Sequence, residues 1–346
     1  MTSNCISHKH NYIKLFSTGL ICLLVACKPS QQLADDLKTY QQRMASVLTQ
    51  PDAAYNNVHL PAYPALSVLR QDQPETTIKL AEFYQLQHCQ LATIIAQRNT
   101  TLGKLQLPST RFMYEKTIIT SLEDCIAQTQ DEQLKIKLQA WLNVKSQSLI
   151  IAWADMLQTS TEMKQGLSSN SGFIIGDERD GLGETLLALT FLAQSLQSSS
   201  IDSHELETHL HNVAKSALLA NLWRSQILLK ENLETTTSWL HQQKLAEKCR
   251  TPDAKTKKNL SYLLNVFQLY FIEKIQVVAS QLNNYHYQIS PKLESLLEHP
   301  SLSPAFKHYI QQQHYQHFAD YQIAMKEHID YWQNIFSQCQ IKPGKH

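Results

Sequence analysis

Apolar positions recur every three or four residues over most of the chain, the period of a helix with one buried face. Leu37, Tyr40, Met44 and Leu48 form one such stripe and predict a helix over about 33–49. Residues 51–74 hold four prolines and no period, and read as an extended arm crossing the surface. Leu80, Tyr84, Leu91 and Ile95 predict a second helix over about 75–98, and another starts near Ser109. Leu134, Leu138, Leu142, Leu149 and Trp153 predict a long helix over 131–165, with a gap in the stripe at Lys145.

The pattern then changes. Gly166, Gly172, Gly176, Gly181 and Gly183 are five of the chain's 8 glycines. With Ser168, Ser169, Asn170 and Ser171 they predict a mobile loop or a short hairpin near 170–180, with Phe173-Ile174-Ile175 as its small strand. Helix resumes over about 184–198. Asp202-x-x-Glu205 resembles a capping box, and the stripe from Leu206 to Ile227 predicts a helix reaching about 246. A polar loop follows Cys249. A long helix over about 256–288 comes next, then a short piece bracketed by Pro291 and Pro300. The last helix opens at Ser303-Pro304 and ends near Cys339. Long amphipathic helices with short connections predict an all-α fold, an elongated helical bundle.

One run is apolar without a period. Lys9, His10 and Lys14 precede it, and Leu15 to Ala26 carries it. Twelve residues rise about 18 Å as a helix, short of the ~20 residues that span a bilayer. The pattern is that of a secretory signal peptide over 1–26. Leu24-Val25-Ala26-Cys27 resembles a bacterial lipobox, which implies a diacylglycerol on the Cys27 thiol. The mature part, 27–346, is then expected to be one helical domain facing the periplasm on a short tether, 27–32. Lys28 in place of Asp implies the outer membrane. Buried acyl methylenes contribute about 0.8 kcal/mol each, so two or three chains anchor a protein almost permanently. The membrane lipid is thus the first expected partner.

Composition narrows the function. Lys plus Arg total 31 and Asp plus Glu 30, so the chain has no electrostatic footprint for nucleic acid. Of 7 cysteines, Cys5 and Cys22 leave with the signal and Cys27 carries lipid. Cys89, Cys125, Cys249 and Cys339 remain, and four cysteines admit three connectivities. Cys89–Cys125 with Cys249–Cys339 is the favoured set, because each pair would staple neighbouring helices. A cysteine metal site is the rival, but no C-x-x-C occurs. His204, His209 and His211 lie on one helix without sharing a face, and His204-Glu205 with His209 misses H-E-x-x-H by one residue. His314 and His317 are three apart, spacing that suits either a metal or an exposed face. No metal and no cofactor is expected.

The stretch Leu91 to Lys104, with Arg98-Asn99-Thr100-Thr101-Leu102-Gly103-Lys104 at its end, is followed by Pro108-Ser109-Thr110-Arg111 and Tyr114-Glu115. Together with the lipobox and the first helix, it resembles a lipoprotein family, domain-of-unknown-function family 3080. Thr100 stands where the family usually has Ser. The resemblance covers most of the mature chain and implies no activity. Arg98, Asn99, Lys104, Arg111 and Glu115 gather polar groups around a turn. They form either a pocket for an anionic or polar envelope ligand or a corner whose side chains satisfy each other. No G-x-S-x-G, no phosphate loop and no nucleophile–base–orienter set occurs. The expected function is therefore a non-enzymatic binding or assembly module for an envelope protein or ligand. The alternative is an envelope hydrolase or transferase acting near 98–115.

Overall fold

The computed structural model describes residues 31–74, 76–99 and 107–340. The signal segment, Cys27 and Lys104 lie outside the described residues. The first helix, α1 (Gln32–Leu48), begins within the expected tether and buries Leu33, Leu37, Tyr40 and Met44. It stops at Thr49, whose φ of 54° is left-handed. The arm then runs over the surface with one helical turn, α2 (Leu66–Leu69). Ala53, Val58, Leu60 and Leu69 anchor the arm to the core.

Two short helices replace the single one expected over 75–98: α3 (Leu80–Gln85) and α4 (Leu91–Arg98). Pro74 and the β-branched run Thr76-Thr77-Ile78 disfavour helix before Lys79. The break between the two holds Cys89, which is bonded to Cys125 with a Cα–Cα distance of 5.4 Å. The partner lies in α5 (Pro108–Gln128), which pairs with α6 (Glu132–Thr159). Asp131 caps α6 by accepting hydrogen bonds from the Gln133 and Leu134 amides. The α6 helix ends at Ser160, and that residue's hydroxyl caps α7 (Thr161–Ser168). Gly166 therefore sits in a helix rather than a loop. A Cβ there would lie 2.5 Å from Val213 Cγ1, so the glycine permits α7 to cross α9 (Ser203–Ser216) closely.

No strand occurs among the described residues, and the expected hairpin near 170–180 is absent. The loop is tied to distant residues by side-chain hydrogen bonds. Phe173 and Ile174 are buried. Arg224 donates from Nε to the Val58 carbonyl and from Nη1 to the carbonyls of Asn170 and Gly172. Its guanidinium also lies 4.1 Å from the Phe173 ring centroid. The Asp180 carboxylate accepts from the amides of Ile175 and Gly176 and from the Tyr285 hydroxyl. Glycine and serine composition suggested mobility, but carbonyls facing a buried guanidinium decide the outcome. Arg224→Met strands three carbonyls and is expected to cost about 2 kcal/mol. Limited proteolysis should then cut first within 169–181.

After the loop come α8 (Leu182–Gln194), α9 and α10 (Leu218–Gln242). The helix expected from 202 to 246 is broken at Ala217, which takes a left-handed φ of 45°. The turn lets α9 lie against α7 and α8 while α10 crosses the core. Next come α11 (Leu245–Lys248) and α12 (Ala254–Val266). A π-helical segment, Phe267–Ile275, joins α12 to α13 (Gln276–Leu297). Pro291 lies inside α13 rather than ending it. The Tyr287 carbonyl, which loses its partner there, belongs to an exposed residue and can be met by water. Finally α14 (Pro304–Ile310), a second π-helical segment (Gln311–Gln316) and α15 (His317–Gln338) form the last rod. Cys249 and Cys339 are bonded, tying the end of α15 to the loop after α11.

Buried side chains fall into two clusters. The larger runs through α1, the arm, the start of α5, the second half of α6 and α7 to α15. Within it Tyr40, His328, Thr237 and Trp332 form a closed hydrogen-bonded set that joins α1, α10 and α15. The smaller cluster joins α4, the second half of α5 and the first half of α6 around the Cys89–Cys125 bond. No described helix is long and apolar enough to cross a membrane.

Candidate functional site

A cleft of about 1010 Å³ opens beside the smaller cluster. Its size is in the range of small-ligand sites, about 300–1,000 Å³. Asp72, Gln73 and Pro74 with Thr76, Thr77 and Ile78 form one wall, and α4, α5 and α6 form the others. Pro108 at the first position of α5 fixes where that helix starts. The helical period then puts Arg111, Tyr114, Ile118 and Leu122 on the face toward the cleft. Helix α4 contributes Leu91, Ile95, Arg98 and Asn99, and α6 contributes Trp141 and Lys145.

The chemistry is concentrated at one end. Glu115 is fully buried beneath the cleft. Its Oε1 lies 2.5 Å from Arg111 Nη2 and accepts from Lys145 Nζ at 3.3 Å. Its Oε2 lies within ion-pair range of the same ammonium, at 3.3 Å, but accepts no hydrogen bond. Arg98, Arg111 and Lys145 surround the Tyr114 ring at 5.7, 5.6 and 5.7 Å from its centroid. Arg111 also donates to Gln73 Oε1 at 3.2 Å.

Arg111 and Lys145 thus share the buried Glu115 carboxylate, the partly buried Asp155 carboxylate also feels the charge of Arg111, and Asp72 stands exposed at the rim. Burial holds the Lys145 ammonium below the usual lysine range, although Glu115 pulls it the other way. Burial, and then the charge of Arg111, lower Arg98. Burial pushes the Tyr114 phenol up to about 12, so it stays protonated at neutral pH. Two hydrogen-bonding atoms at the cleft, Arg111 Nε and Thr76 Oγ1, are buried without a hydrogen-bond partner.

A family model described as Protein of unknown function (DUF3080) matches residues 37–343. The chain belongs to that family. No curated protein and no solved structure matches it. Of the residues singled out from the DUF3080-like motif, Arg98, Asn99 and Arg111 line the cleft and Glu115 lies under it. Lys104 falls outside the described residues.

The motif did not point to Lys145, Trp141, Gln73 or Thr76. Lys145 did leave a trace, the gap in the apolar stripe of α6. A charged residue on a core-facing stripe signals a buried partner, here Glu115 on the facing helix.

The histidines resolve differently. His314 is buried, and its Nδ1 accepts from the Trp223 indole N–H. That bond fixes the proton on Nε2, which donates to Ser290 Oγ at 2.8 Å. Ser290 in turn donates to the His286 carbonyl. With its ring nitrogens engaged, His314 has none left for a metal shared with His317, and it cannot serve as a base toward Ser290. His88 Nδ1/Nε2 and the sulfurs of Cys89 and Cys125 lie within 4.8 Å of one another, with both sulfurs in the disulfide. Replacing Cys89 and Cys125 by serine is expected to cost about 3 kcal/mol, read as a lower unfolding midpoint in denaturant.

Proposed function

We propose that the chain is a non-enzymatic binding module whose cleft takes an anionic envelope ligand. One observation carries this reading: Arg98, Arg111 and Lys145 converge on the ring of Tyr114 at one end of the cleft, where Arg111 Nε and Thr76 Oγ1 are buried without a hydrogen-bond partner. A partly desolvated group of cations beside unpartnered hydrogen-bonding atoms favours phosphate or carboxylate. The hydrolase or transferase alternative is disfavoured, because Glu115 is bound by two cations and Tyr114 keeps its proton. The lipobox-like Leu24-Val25-Ala26-Cys27 supports an anchor at the outer membrane, facing the periplasm. Cys27→Ser is expected to abolish incorporation of labelled palmitate and to release the protein from the membrane fraction.

Arg98→Ala tests the site. Loss of one charge-assisted hydrogen bond, about 1.5–3 kcal/mol, lowers affinity roughly tenfold or more. Calorimetric titration with inorganic phosphate at low salt reads that loss. The cellular level and the unfolding midpoint stay near those of the unaltered protein. A collapse in level and midpoint instead would identify the cluster as a corner that holds the fold.

A further inference from the structure

The cleft has two unlike ends. Leu91 and Leu122 stand at one end, Arg98 and Arg111 at the other, with Ile95 and Ile118 between them. Helix α6 repeats the order with Trp141 and Lys145. Polarity therefore changes in the same direction along all three helices. From Arg111 to Leu122 the distance along α5 is about 16 Å at 1.5 Å per residue. Behind Leu122, the Cys89–Cys125 bond belongs to the same apolar cluster and staples the start of α4 to α5. Trp141, Ile95 and Ile78 are half-buried there, so apolar surface remains for a ligand to cover. A small hydrophilic anion would use the cationic end and leave this surface wet.

We propose, building on the anion-binding reading, that the ligand is an amphiphile. Its phosphate or carboxylate head would sit among Arg98, Arg111 and Lys145. Its single acyl or alkyl tail would lie along Ile95, Trp141 and Ile78, above the buried Ile118, Leu91 and Leu122. The head supplies acceptors for Arg111 Nε and Thr76 Oγ1. The tail covers what Trp141, Ile95 and Ile78 expose.

The test compares two probes on the folded chain by calorimetry, inorganic phosphate and dodecyl phosphate, the latter kept below its micelle concentration. Burial of even a few methylenes makes dodecyl phosphate on the order of a hundredfold tighter. Ile95→Asp and, separately, Ile78→Asp place a carboxylate on the tail path. Each is expected to remove most of that gain, read as the ratio of dodecyl phosphate to phosphate affinity within the same variant, because a carboxylate in the cleft weakens phosphate binding as well; whichever variant keeps the unaltered unfolding midpoint is the one that decides. Equal affinity for the two probes would overturn the amphiphile and leave the anion site standing. A dodecyl gain that survives the substitution in a folded variant would put the tail elsewhere and also overturn it. Binding of neither probe would overturn both readings.

Discussion

Stability is expected to fall steeply as pH drops from about 6.5 toward 4. Three buried histidines set this window. Burial lowers His328 to about 3, His314 to about 3 and His286 to about 4. In the unfolded chain each titrates near 6.5. Between these values the unfolded chain takes up protons that the folded chain refuses. Their contribution is therefore fully present above about pH 6.5 and is lost as pH falls toward the folded values. By pH 5 each histidine withdraws about 2 kcal/mol, an order-of-magnitude figure.

His286 separates this effect from that of the carboxylates. Its ring stacks on Phe318 with centroids 3.5 Å apart, and its Nδ1 has no hydrogen-bond partner. His286→Leu keeps the apolar contact and removes the proton site. Denaturant unfolding at pH 7 and pH 5 is expected to show a smaller loss for the variant, by about 2 kcal/mol. An unchanged pH dependence would mean that these histidines do not refuse the proton.

Glu115→Met is expected to cost about 4 kcal/mol, because it leaves Arg111 and Lys145 without their shared buried partner. Lys145→Met is expected to cost much less, about 1 kcal/mol. Arg111 still holds Glu115 there, and the apolar stem of the new residue packs where the lysine stem did. The asymmetry is the point of the comparison: one carboxylate serves two cations. Chemical denaturation of both variants reads it. If the two changes cost the same, the cluster is a set of independent pairs rather than a shared counter-ion.

The helices were legible from spacing because most of their stability comes from one buried stripe. Their interruptions were not. Ala217 takes a left-handed φ with no glycine or proline to announce it. Ser160 breaks a stripe that stays apolar on both sides, and its cap is visible only once α7 is seen to begin there. Pro291 was read as a stop, yet the carbonyl it leaves unpaired belongs to the exposed Tyr287 and the helix continues. The loop over 169–181 was read from its own glycines and serines. Its order comes from Arg224 and Tyr285, residues far along the chain.

The candidate site was legible in part for a related reason. Arg98, Asn99, Arg111 and Glu115 are local to one motif. Lys145 and Trp141 reach the same cleft only through the antiparallel pairing of α5 and α6. Local spacing does not encode that pairing. The cysteines carried long-range information, because Cys89–Cys125 joins the α4 wall to the α5 wall.

The most direct measurement is native mass spectrometry of the protein gently purified from the cells that make it. The account predicts an added mass that organic extraction identifies as an anionic amphiphile, present on the unaltered chain and lost from a folded Arg98→Ala variant. A bare chain, or an adduct that Arg98→Ala retains undiminished, would contradict the assignment of this cleft as the binding site.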